Sequence, residues 1–113
     1  HLMEVCKGSK VRATVNYADL PVLARAREFI DAGYLTGASG RNWASYGEGI
    51  SLAVDLEKTA KTLLTDPQTS GGLLVSCTPD TVTEVLSLFL QQGFSHVSVI
   101  GEITDGEPGI DVI

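Results

Sequence analysis

The sequence is poor in the residues from which self-contained chemistry is built. Its two histidines, His1 and His96, do not stand at metal-ligand spacing from each other or from a cysteine, which argues against an ordinary zinc site. Two cysteines, Cys6 and Cys77, are too few for a disulfide framework; two buried reduced thiols are the expectation, in keeping with a cytoplasmic setting. There is no Walker A string and no serine in a nucleophile-elbow context. Apolar runs are short, far below the roughly 20 residues that span a bilayer, and no signal-peptide pattern opens the chain. Basic residues are scarce as well, eight against fourteen acids, for a net charge of −6. Such a surface repels phosphate backbones, so neither nucleic acid nor membrane is expected as a partner. No catalytic residue and no metal ligand is assigned, and the chain alone is expected to catalyse nothing.

The few bases are concentrated. Residues 1–27 hold five of them (Lys7, Lys10, Arg12, Arg25, Arg27) against Glu4 and Asp19, a local +3, which leaves −9 for the rest. That portion reads as a solvated helix and strand surface, with a phosphate or an acidic neighbouring domain as the alternative.

What is present is an ordinary globular core. Of 113 residues, 43% are hydrophobic and 19% charged, enough for one domain that buries roughly two-thirds of its unfolded surface. His1–Lys7 reads as the end of a helix with Leu2, Val5 and Cys6 on its apolar side, stopped at Gly8. Val11–Tyr17 alternates like a strand with one buried face. Pro21 opens a second helix, with Val22, Ala26, Phe29 and Ile30 on one face and Gly33 at its end. Residues 34–54 carry four glycines and three aromatics without a period. An irregular connection of about 20 residues tends to be functional or docked to a partner. Trp43 and Tyr46 either tuck their rings under this loop or dock against a partner surface.

Asp55 is placed as the N-cap of a third helix, with Lys58 on the next turn and Leu56, Ala60, Leu63 and Leu64 inside. Leu73–Cys77 reads as a buried strand, its thiol inert; Cys6, beside Lys7, is the better candidate for reactivity. Thr78 and Pro79 open a fourth helix, in which Val82, Val85, Leu86, Phe89 and Leu90 follow the 3.6-residue period to Gly93. His96–Ile103 reads as a strand with His96 partly exposed. Asp105-Gly106 signals a hairpin, and Ile110–Ile113 is a last strand at an edge. The fold class is therefore α/β (α+β): a four-stranded mixed sheet with packed helices.

The chain is organised around Asp66-Pro67-Gln68-Thr69-Ser70-Gly71-Gly72. Proline stops the preceding helix by Thr65, and the glycine pair permits positive φ or close approach of another group. Such a bend either presents N–H groups as an anion-binding concavity or simply connects helix to strand. On the residues alone the bare connection is the weightier reading.

The whole string DPQTSGG followed by an apolar run resembles the C-terminal domain of the selenophosphate synthetase (selenide, water dikinase) family, part of a superfamily that includes aminoimidazole ribonucleotide synthetase. Gly40-Arg41-Asn42-Trp43-Ala44-Ser45-Tyr46-Gly47 is similar to that family's RNFASYG segment, with Trp43 where Phe is usual. His1-Leu2-Met3-Glu4-Val5-Cys6 is similar to the run after its TDVTGFGLLG stretch. The likeness covers essentially the whole chain. It implies a fold like the superfamily's C-terminal domain, and a C-terminal fragment, residues 1–113, whose catalytic N-terminal domain is absent. For the parent it implies ATP, selenide and Mg2+ with a stimulating K+, and a homodimer formed mainly through the N-terminal domain. This domain would form one wall of the nucleotide cleft, with its own N-terminal domain as partner.

On that footing Asp66, being anionic, holds the turn through backbone N–H groups rather than meeting a triphosphate. Thr69, Ser70 and the N–H groups of Gly71 and Gly72 are the phosphate candidates. Asn42 and Arg41 form a second pair, Arg41 by a bidentate contact. Another member of the superfamily, or a binding or assembly module without chemistry, are the alternatives.

Overall fold

The computed structural model describes residues 1–56 and 60–113. Among them the chain forms five α-helices and a four-stranded mixed sheet. In chain order these are α1 (Leu2–Ser9), β1 (Val11–Val15), α2 (Ala26–Asp31), α3 (Gly37–Tyr46), β2 (Ile50–Leu52), α4 (Ala60–Leu64), α5 (Val82–Gln91), β3 (Gly101–Asp105) and β4 (Gly109–Val112). The α+β class and the mixed four-stranded sheet are as the sequence pattern implies.

The strands lie in the order β2-β4-β1-β3. β4 runs parallel to both β1 and β2, and β3 runs antiparallel to β1. Alternation decides the faces. Ala13 pairs with Ile110 and Val15 with Val112, and all four are buried under Met3 and Cys6 of α1. Tyr17 and Ala60 complete this core, with Leu56, Leu63 and Leu64 packed against it. The intervening residues point the other way, where Arg12 on β1 holds Asp111 on β4 in a two-pronged ion pair at 2.5 Å. The Arg12 hydrogen bonds set the Asp111 carboxyl below its usual range, against the opposing effect of its partial burial.

Several expectations need correction. Gly8 does not end α1; the helix runs to Ser9 and Lys10 takes the left-handed turn at φ 56°. The second helix begins at Ala26, five residues past Pro21, and none of its residues is buried. Gly33 (φ 86°) does end it. Residues 34–54 are not irregular: they hold α3, a 3-10 turn over Gly47–Gly49 and strand β2. Asp55 sits in a turn before α4, and Lys58 lies outside the described residues.

Leu73–Cys77 belongs to no strand, and Cys77 is exposed; Ile50–Leu52 takes the fourth place in the sheet instead. Cys6 is fully buried, and burial pushes its thiol up, which removes it as a reactive candidate. The strand expected from His96 starts at Gly101, with His96 in an exposed turn. Asp105-Gly106 makes no hairpin, because β3 and β4 flank β1 on opposite sides. β4 is consequently interior, and the edges belong to β2 and β3.

Gly101 is the one position where the β1–β3 contact requires the missing side chain. A Cβ there would lie 1.9 Å from the Thr14 carbonyl oxygen.

Candidate functional site

Helix α4 ends at Leu64, and the chain turns out into the 66–72 bend ahead of Pro67. The Thr65 hydroxyl donates back to the Lys61 carbonyl at 2.6 Å, closing the last turn. The Asp66 carboxylate is occupied within the loop: Gln68 Nε2 donates to its Oδ2 at 2.5 Å. It thus braces the bend through a side chain and not through the backbone N–H groups expected of it. Pro67 to Gly72 are all exposed, so the hydroxyls of Thr69 and Ser70 and the glycine amides face solvent.

The two glycines differ. A Cβ on Gly71 would come 3.0 Å from Gln68 Cβ, whereas one on Gly72 would meet nothing within 4 Å. Neither has positive φ. The bend does not need glycine for its own conformation at either place, and at Gly72 not for local space either.

The second similar stretch forms the body of α3 and lies against the base of this loop. Asn42 Nδ2 donates to the Thr65 carbonyl at 2.9 Å, just beyond the end of α4. At the next residue, the Trp43 indole lies under Lys61 Nζ, 4.6 Å from the ring. Its other side is pressed to the backbone of Gly47, where a Cβ would sit 2.7 Å from Cε2. Trp43 is half-buried and serves as the spacer between α3 and α4. Tyr46 lies under Lys7 at 5.4 Å, and its hydrogen bond with Glu4 pushes its phenol above the ordinary value.

The structure thus separates the six candidate site residues. Thr69, Ser70, Gly71 and Gly72 share one open loop. Asn42 donates one of its two amide hydrogens to the carbonyl from which this loop departs. Arg41 is exposed on α3 with no carboxylate partner within salt-bridge distance among the described residues. Sequence reasoning overlooked Lys61, which brings a cation to the base of the loop; its spacing of five residues before Asp66 was the available signal. No group of three or more His, Cys, Asp or Glu residues among the described residues is arranged to hold a metal ion. Among the described residues no helix is long and apolar enough to cross a membrane.

Comparison with known proteins bears on these features. The whole chain, residues 1–113, matches the family described as AIR synthase related protein, C-terminal domain. It is 78% identical over all 113 residues to a selenide, water dikinase of Dechloromonas aromatica. It is 54% identical to that of Paraburkholderia xenovorans and 38% to that of Rhizobium meliloti, again over 113 residues. In each case the chain spans 32% of the relative's length.

Proposed function

This chain belongs to the family of AIR synthase related proteins, as their C-terminal domain, and on that premise we propose that it is the C-terminal part of a selenide, water dikinase. The parent enzyme would convert selenide, ATP and water to selenophosphate, AMP and orthophosphate. The domain's share is one wall of the nucleotide cleft, formed by the 66–72 loop and the face of α3 beside it. The observation that supports this reading is the Asn42–Thr65 hydrogen bond, which ties the helix carrying one family-like string to the residue immediately before the other.

The donor set fits phosphate. Thr69 and Ser70 supply hydroxyls, Gly71 and Gly72 supply N–H groups without a side chain in front, and Lys61 and Arg41 supply positive charge nearby. Bound there, ATP would supply the phosphoryl group that selenide accepts. The fit to Mg2+ is poor. Asp66 is the one acid in the loop and its Oδ2 already accepts from Gln68, so the carboxylates for Mg2+ would come from the parent's other portion. K+, a homodimer formed there and a cytoplasmic location belong to the same reading.

The test is to incubate the full-length protein with ATP and selenide and to follow the products by phosphorus NMR. Selenide-dependent selenophosphate and AMP are expected, with neither from residues 1–113 alone. A full-length protein that forms no AMP in response to selenide would overturn the proposal.

A further inference from the structure

Asp105-Gly106 closes no hairpin, yet it is the one Asp-Gly pair in the sequence. Every other aspartate precedes a residue with a side chain, in one case Pro67, which has no N–H. Asp105 is the last residue of β3, and it and Gly106 are both exposed. The carboxylates of Asp66, Asp80 and Asp111 accept side-chain hydrogen bonds. Among the described residues that of Asp105 accepts none and has no cation within salt-bridge distance.

The ladder between β1 and β3 stops at the same point. Asn16 donates to the Ile100 carbonyl at 2.8 Å, and in an antiparallel pair the hydrogen-bonded positions recur at every second residue. Counted along the register, Lys10 and Gly106 follow Arg12 and Thr104 as the next such position. Lys10 instead turns left-handed at φ 56° and gives its N–H to the Cys6 carbonyl, finishing α1. Among the described residues the Gly106 N–H has no backbone acceptor. An unheld carboxyl is therefore followed directly by an unheld amide, with no side chain beside that amide to hinder approach.

We propose that Asp105 is a modification site, at which the folded chain isomerises to isoaspartate. The Gly106 nitrogen bonds to Asp105 Cγ, and its proton leaves with the hydroxyl of the protonated carboxyl as water, closing a five-membered succinimide. Water then adds back to the ring. Breaking the N–Cγ bond restores aspartate. Breaking the bond from nitrogen to the backbone carbonyl carbon leaves the main chain running through Cβ and Cγ, with the α-carboxylate free. One water leaves and one returns, and nothing is oxidised or reduced.

The position gives this change a structural effect. Gly106-Glu107-Pro108 carries the chain from β3 to β4 across the end of β1, two strand spacings or about 10 Å. Isomerisation adds one main-chain methylene where that crossing begins, and so loosens the Val11–Asp105 pairing. The inference concerns the chain's own chemistry and stands whether or not the 66–72 loop binds nucleotide.

The test is to age the 113-residue chain at neutral pH, in buffer and in denaturant, and to digest it with an endoprotease that cuts before aspartate but not before isoaspartate. The Thr104–Asp105 bond should become resistant at unchanged mass, while cleavage at the other aspartates persists. Isomerisation through global unfolding would run in the native chain at roughly 10⁻³ of its rate in denaturant or less, so a native rate within about tenfold of the denatured one is expected. A slower native rate overturns the proposal. Asp105→Glu, whose ring would have six members, should stay cleavable at that bond by a protease that accepts glutamate; equal resistance there overturns it too. Asp105→Asn gives an independent reading, since its side-chain nitrogen leaves as ammonia through the same ring. The folded variant should gain negative charge on ageing, and one that keeps its amide overturns the proposal.

Discussion

The side-chain amide of Asn42 and the carbonyl of Thr65, 23 residues apart in sequence, meet at 2.9 Å. Through this bond α3 holds the C-terminal end of α4, and so the place from which the 66–72 loop departs. Replacing Asn42 by Ala should lower stability by about 0.5–1.5 kcal/mol, the net worth of one such bond. In the full-length enzyme the same change should raise KM for ATP more than it lowers kcat, because it loosens the loop without removing a phosphate donor. Denaturation midpoints and steady-state kinetics check the two halves separately. Unchanged values in both would remove Asn42 as a positioning residue.

Trp43 is the sole tryptophan, which makes its emission a direct reporter of the α3–α4 contact. Lys61→Ala should uncover the indole and cost about 0.5–1 kcal/mol, as for an exposed cation–π pair. A red-shifted emission maximum in the folded state is expected. An unshifted maximum would show that Lys61 does not shield the ring.

The glycines should divide by role. Gly47→Val forces a side chain into Trp43 and should destabilise by about 1–3 kcal/mol through overpacking. Gly72→Ala meets open space and should stay within about 0.5 kcal/mol of the parent in stability, while reducing activity of the full-length enzyme by blocking approach of phosphate to the backbone. His96→Ala, exposed in a turn, should change neither. Full activity in Gly72→Ala would remove that amide from the phosphate site.

Acid should weaken the sheet through Asp111. Its carboxyl titrates lower in the folded chain than the unfolded value of about 3.9, because Arg12 donates to its charged form. The stabilisation is therefore complete above the unfolded value and is lost as pH falls through the lower native one. Denaturant midpoints between neutral pH and about pH 2 should fall less steeply for Asp111→Asn than for the parent. Parallel slopes would remove the pair as a source of pH dependence.

Core truncations should rank by burial. Ile110→Ala and Met3→Ala should each cost about 2–5 kcal/mol, as buried large-to-small changes do. Leu86→Ala should fall below about 2 kcal/mol, since Leu86 is only half-buried. Chemical denaturation orders the three. A Leu86→Ala cost equal to that of Ile110→Ala would mean that α5 is covered by another surface.

How much of this was legible depended on whether the signal was local. α5 could be read because its apolar residues repeat at helical spacing between Pro79 and Gly93. β1 could be read because Ala13 and Val15 alternate with Arg12 and Thr14. α3 could not, since Gly37, Gly40 and two serines are weak helix formers and its support is tertiary: Trp43 against Gly47, and Asn42 on Thr65. Ile50–Leu52 is too short to show a period and becomes a strand only beside β4. Leu73–Cys77 has the composition of a strand, but composition does not say whether an edge is available to receive it. For the candidate site, motif resemblance located both segments, yet it could not tell that Asn42 faces a carbonyl.

β4 is the last strand in the chain order and yet sits between β1 and β2. Until residues 109–112 have left the ribosome, β2 has no neighbour and Arg12 has no Asp111. The sheet is thus assembled late, and Ala13, Val15 and Ile50 wait for a strand nearly a hundred or some sixty residues further on, an interval in which their apolar side chains are open to other partners.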